Sequence, residues 1–164
     1  MYDMLEHGFL FLEQTQLAMA ISESSWLFPL IESAHVLALV TVVGSISMID
    51  LRLLNWTLRE RDVASLSREV LPWTWGAFAL AALTGGLLFI SAATKYGRLL
   101  PLKLKFLLLF MAGVNMLLFH LFPYRRATEW GGAQKTRGSA RIAGGISLVL
   151  WIGIVTCGRW IGFM

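Results

Sequence analysis

An ionisable side chain inside a long apolar run costs about 2.5–3.5 kcal/mol to insert into a bilayer, so each one needs a chemical reason to be there. Four stand out in this sequence: Glu32, His35, His120 and Arg159, with Asn115 as a neutral companion. Glu32 and His35 are three residues apart and share a helix face. Glu-x-x-His is half of the ligand set of di-iron helical bundles, but the second copy is absent and no further carboxylate is expected inside a span, which argues against a two-metal centre. A single carboxylate–imidazole pair can instead relay protons, or hold one metal or haem iron with the carboxylate orienting the ring. His120 has Met116 one turn before it and Gly113 two turns before it, so its face has room for a flat macrocycle. The alternative for His120 is a structural bond to Asp50 or Asn55. Cys157, the single cysteine, reads as a packing residue. There is no nucleophile–base–acid set and no phosphate loop; Gly85-Gly86 and Gly144-Gly145 lie inside helical runs.

The elements that must position these groups follow from composition. Of 164 residues, 57% are hydrophobic and 15% charged, and the mean hydropathy is +0.66. Soluble domains carry about 45–50% apolar and about 25% charged residues. The excess lies in four runs, which predict spans at about 26–51, 70–94, 101–124 and 140–162, each near the roughly 20 residues a helix needs to cross the hydrocarbon. Four strands cannot close a membrane barrel, so the spans are helices. Pro29, Pro72 and Pro101 read as helix starts and Pro123 as a stop. Trp26, Trp56, Trp73, Trp75, Trp160, Tyr2, Tyr96 and Tyr124 fall near span ends, as interfacial anchors do, with Trp151 the exception in mid-span. Residues 1–25 mix apolar and charged positions and predict an amphipathic helix on the membrane surface. Ala77, Ala81 and Gly85, and Ala140 with Gly144, are small-residue faces for close helix packing.

The basic residues set an orientation. With the N-terminus outside, the inner side holds Arg52, Arg59, Arg61, Arg68, Arg125, Arg126, Lys135, Arg137 and Arg141, and the outer side the shorter set Lys95, Arg98, Lys103, Lys105 and Arg159. Both termini are then expected in the periplasm of a bacterial inner membrane. Spans one and three run the same way, placing His35 roughly 12–14 Å deep and His120 roughly 28 Å deep at 1.5 Å per residue. About 15 Å of depth separates the imidazoles, too far for both to ligate one iron. A haem could sit at either level. At the outer level His35 has His7 or Met111 as a second ligand, and Lys103 and Arg159 among the cations for propionates. At the inner level His120 has Met48, with Arg52, Arg125 and Arg126 as cations; the same arginines also serve as topology determinants.

These residues carry a resemblance. Ser25-Trp26-Leu27-Phe28-Pro29, Ala34-His35, Asp50-Leu51-Arg52, Pro72-Trp73-Thr74-Trp75, Gly113-Val114-Asn115, Phe119-His120 and Gly158-Arg159-Trp160 together resemble a bacterial family of four-span membrane proteins with no assigned function. A weaker likeness, through His35, Arg52, Lys103-Leu104-Lys105 and Phe119-His120, runs to the haem-binding membrane protoporphyrinogen oxidase and to copper-resistance D-type membrane domains. The oxidase's extra aromatic and histidine residues at the end of its first span are lacking, and its lysine-to-histidine spacing is shorter. The resemblance therefore implies haem binding at His35 and His120 but no oxidase activity.

The expectation is an all-α integral membrane four-helix bundle: an N-terminal amphipathic interfacial helix over residues 1–25 and a four-span domain over 26–164. The function expected is that of a b-type haem protein moving electrons between the quinone pool and a periplasmic partner. His35 and His120 would be the metal ligands, and Lys103, Arg159 and Arg52 the propionate partners. A non-catalytic anchor for other membrane or periplasmic subunits, and a metal-ion handling protein, are the alternatives. The net charge of +4 needs no nucleic acid, because basic flanks meet anionic lipid headgroups.

Overall fold

The computed structural model describes residues 2–58, 60–121 and 138–163. Among them are seven helices and no strand: α1 Tyr2–Glu13, α2 Gln16–Glu23, α3 Leu27–Leu53, α4 Val63–Ile90, α5 Ala93–Arg98, α6 Leu100–Leu121 and α7 Gly138–Ile161. The stop expected at Pro123, the anchor Tyr124 and the basic residues Arg59, Arg125, Arg126, Lys135 and Arg137 lie outside the described residues.

Helices α3, α4, α6 and α7 are long and apolar enough to cross a membrane, which makes this a multi-pass membrane protein. At 1.5 Å per residue even the shortest, the 22-residue α6, spans about 33 Å, against a hydrocarbon core of about 30 Å. Their outward faces suit lipid: Val40, Leu83, Phe110 and Val149 are each more than 60% exposed.

The four spans pack in the spatial order α4–α3–α7–α6. Antiparallel α3 and α4 meet through His35 and Thr84 near one end and Ser45 and Thr74 midway. Helix α7 approaches α3 most closely at Gly144, where a Cβ would lie 3.2 Å from the Asp50 carbonyl oxygen and 3.1 Å from Leu53 Cβ. Helix α6 joins α7 through Asn115 Nδ2, which donates to the Ala143 carbonyl at 3.0 Å. The small residues thus occupy helix contacts. Trp151, the mid-span exception among the tryptophans, is buried with Val42 and Ile154 in the central core.

Helix boundaries depart from expectation in two places. Pro72 lies inside α4 instead of starting it. The helix begins nine residues earlier, because Asp62 caps it by accepting from Ser65 N–H at 3.1 Å and because Val63, Ala64, Leu66 and Ser67 are buried. The N-terminal stretch forms two helices instead of one. They break at Thr15, whose hydroxyl donates to the Leu12 carbonyl and accepts from Ala18 N–H. Helix α1 docks on α5: a Cβ at Gly97 would lie 2.7 Å from Phe9 Cζ, Glu13 accepts from Thr94 N–H, and Glu6 pairs with Arg98.

Helix α3 ends in a Schellman turn. Asn55 N–H bonds the Arg52 carbonyl, Trp56 N–H bonds the Leu51 carbonyl, and Asn55 takes the left-handed conformation at φ 59°. Arg52, 1% exposed, ties this turn to the next: its Nε donates to the Arg61 carbonyl at 2.7 Å and its Nη1 to Asn55 Oδ1 at 3.1 Å.

Candidate functional site

The serial packing leaves α4 and α6 without a close interface, and between them lies a cavity of about 210 Å³. Its floor is α3 and α7, and its mouth is the α4–α6 seam, where the exposed Trp75, Phe78 and Met116 stand. Periodicity builds the walls. Val42, Ile46, Ile49 and Leu53 recur three and four apart on α3, and Leu109, Ala112, Met116 and Phe119 do so on α6. Trp75, Phe78, Phe119 and Trp151 supply aromatic surface.

The polar atoms gather where α3 ends and α7 begins. Asp50 is 5% exposed and lines the cavity. Ser147 of α7 lies beside its carboxyl, and Asp50 Oδ2 has no hydrogen-bond partner. Asn115 and His120 line the α6 wall and Ser67 and Thr74 the α4 side. His120 Nδ1 lies 2.9 Å from the Met116 carbonyl oxygen; that oxygen can only accept, so Nδ1 carries the proton and Nε2 the lone pair.

Asp50 overturns the expectation that no further carboxylate lies within a span. The apolar run reads as closing at the Asp-Leu-Arg triplet, yet the helix continues to Leu53 and the close approach at Gly144 buries the acid. The one sequence signal is its place directly after residues 36–49, a stretch with no ionisable group.

The expected ligand residues do not converge. His35 of α3 is half-buried against α4, and a Cβ at Gly85 would lie 2.9 Å from His35 Cε1, so the imidazole itself fills the space the glycine leaves. Its Nδ1 lies 2.9 Å from Thr84 Oγ1. The Thr84 hydroxyl donates to the Leu80 carbonyl at 2.7 Å, so His35 is the donor of the pair. Thr84, and not the exposed Glu32, is therefore the partner that orients this ring. Lys105 of α6 lies at the level of His35, and His120 is fifteen residues further along α6, roughly 22 Å. That exceeds the separation expected from sequence.

The expected propionate cations are also dispersed. Lys103 and Arg159 are exposed and do not line the cavity, and Arg159 stacks its guanidinium 4.8 Å from the Phe163 ring centre. Arg98 pairs with Glu6, and Arg52 is engaged by its loop. Among the described residues no group of three or more His, Cys, Asp or Glu could hold a metal ion. A cavity of about 150 Å³ holds benzene, so 210 Å³ admits one substituted ring.

A family model matches residues 26–164, taking in all four spans and excluding α1 and α2. The chain belongs to DUF6644, a family of unknown function. No curated protein and no solved structure matches it. The DUF6644 match bears out the likeness to a four-span family without an assigned function, while the weaker likeness to haem-related families finds no support.

Proposed function

We propose that this protein binds a small lipid-soluble molecule inside the bilayer, admitting it sideways through the seam between α4 and α6. One observation carries the reading: a cavity that faces lipid and is aromatic along its walls, with an unpartnered buried acceptor, Asp50 Oδ2, at its polar end. Pockets for small molecules have this composition, mostly apolar with a few convergent polar groups. An unpaired polar atom in so dry a place costs about 1–3 kcal/mol, a cost that a bound hydrogen-bond donor removes. The quinone pool of a bacterial inner membrane is the supply that fits one ring on an apolar tail. Transfer of electrons to a periplasmic partner is the activity this binding would serve.

The test is to purify the protein in a mild detergent, extract it with organic solvent and identify the co-purified lipids by mass spectrometry, beside a Gly113→Leu variant. A Cβ at Gly113 meets no atom within 4 Å, so the added side chain enters the cavity without displacing the helix. The expected result is a ring-bearing lipid at near one per chain, lost in the variant. Equal extracts from both proteins would overturn the reading.

A second reading, a b-type haem at His35, is favoured by the bond that fixes His35 Nδ1 on Thr84, since histidine ligands are held in this way through their other ring nitrogen. Reduced-minus-oxidised spectra with a pyridine haemochrome assay test it. A colourless protein after expression with ample haem would remove it.

A further inference from the structure

Resting on the lateral-binding reading, we infer that the site selects the hydroxyl-bearing, reduced form of its ring: a hydroquinone or other hydroxyaryl head whose O–H donates to Asp50 Oδ2. One buried atom at the cavity decides this. Asp50 Oδ2 is 95% buried with its residue, lines the cavity and has no partner. Asn115 gives one Nδ2 hydrogen to the Ala143 carbonyl and keeps its Oδ1 as an acceptor. Asp50 Oδ2 is satisfied only by a donor. A quinone carbonyl is itself an acceptor and leaves Oδ2 bare, whereas a hydroxyl completes a charge-assisted bond to the carboxylate.

Charge excludes the other obvious donor, an ammonium. Arg52 is buried two residues from Asp50 on α3, so among the described residues this layer already holds a buried cation beside its buried carboxylate. A second cation would leave an unbalanced charge in a low-dielectric interior, while a neutral O–H satisfies Oδ2 without one. The walls add shape selection. Trp75, Phe78, Phe119 and Trp151 bound a space that takes a flat substituted ring, with the tail leaving through the seam.

The test measures binding of four probes to the full chain in lipid nanodiscs: a decyl-tailed benzoquinol, its quinone, its dimethyl ether, and a quaternary ammonium with the same tail. The benzoquinol is expected to bind about tenfold or more tighter than its quinone and its ether, the range of one charge-assisted hydrogen bond. Tenfold selectivity raises the midpoint potential of the bound couple by about 30 mV, which a redox titration reads independently. Asp50→Asn puts an amide donor where Oδ2 was and is expected to collapse the preference, because its N–H donates to the quinone and ether oxygens. The wild-type comparison needs no variant, so a poorly folding Asp50→Asn leaves the test intact. Equal binding of quinol, quinone and ether overturns the inference while the lateral site stands, and so does tighter binding of the ammonium. Failure of every probe to bind overturns the lateral site itself. A decyl phenol added to the series separates the sources. Binding as tight as the quinol's assigns the site to hydroxyaryl lipids generally, and weaker binding assigns it to the quinol pool; both support the inference.

Discussion

Replacing Arg52 with alanine should weaken the fold by about 3 kcal/mol. The residue is 1% exposed and its charge-assisted bonds include Nε to the Arg61 carbonyl at 2.7 Å and Nη1 to Asn55 Oδ1 at 3.1 Å. Each such bond is worth about 1.5–3 kcal/mol, and breaking a buried charged pair from one side costs about 3–5 kcal/mol. The orphaned groups belong to the exposed Arg61 and the partly exposed Asn55, so water reaches them once the loop loosens. The cost therefore falls near the bottom of that range. Arg52 also holds a strained segment. Leu58 sits at φ 52°, a left-handed conformation that costs a side chain such as leucine about 1–2 kcal/mol. Arg52→Lys keeps the charge but loses the planar fork, and retains one bond at most, so it should cost about half as much. The assay is equilibrium unfolding of the detergent-solubilised protein in increasing dodecyl sulfate, followed by far-ultraviolet circular dichroism. Hydrogen exchange at the Arg61 amide, which bonds the Leu58 carbonyl, reports the loop directly. An Arg52→Ala protein within about 0.5 kcal/mol of the parent, with unchanged exchange at Arg61, would refute the assignment of Arg52 as the organiser of this turn.

Four further outcomes follow from the packing. Leu58→Gly removes the left-handed strain and should stabilise the protein by about 1 kcal/mol in the same assay; a loss would show that the turn needs the leucine side chain. Gly144→Ala drives a methyl against the Asp50 carbonyl and Leu53 Cβ and should cost about 1–3 kcal/mol, with a neutral result showing that α7 can move away freely. A double-mutant cycle of His35→Ala and Thr84→Val should return about 0.6 kcal/mol of coupling, typical of hydrogen bonds between spans, and zero coupling would demote this contact to coincidence. Phe9→Ala empties the contact over Gly97 and should speed exchange of the α1 amides about tenfold while those of α3 and α7 keep their protection; slow exchange throughout would mean that the ion pair of Glu6 with Arg98 and the Glu13 bond suffice.

The four spans were legible because a bilayer makes the same demand of every helix: about twenty apolar residues with the backbone bonded internally. The packing faces were legible for a related reason, since Gly85 and Gly144 mark where another helix comes close. The ends were harder. Pro72 looks like a start, and only the burial of Val63 to Ser67, a tertiary property, carries α4 nine residues further back. The site was harder still. Glu32 and His35 share a face by spacing, yet the bond that orients His35 comes from Thr84, forty-nine residues away on a neighbouring helix. Asp50 next to Arg52 looks like a pair of interfacial charges at the end of a span. Its burial depends on Gly144 and its surroundings on Ser147, both on the last helix. Such convergence depends on which helices are neighbours, and periodicity along one helix carries no record of that.

The bundle's four spans are joined by three interfaces in a line instead of four in a ring. A ring resists swelling, because moving any one wall loads the rest. In a line the two end members are restrained from one side only. Here those members are α4 and α6, so the width of the gap between them is the soft coordinate of the molecule. Acyl chains must seal it whenever no ligand does, and the bilayer's lateral pressure acts on it directly. Thickness, chain saturation and curvature of the surrounding membrane thus enter the binding equilibrium on the same footing as the residues that line the cavity.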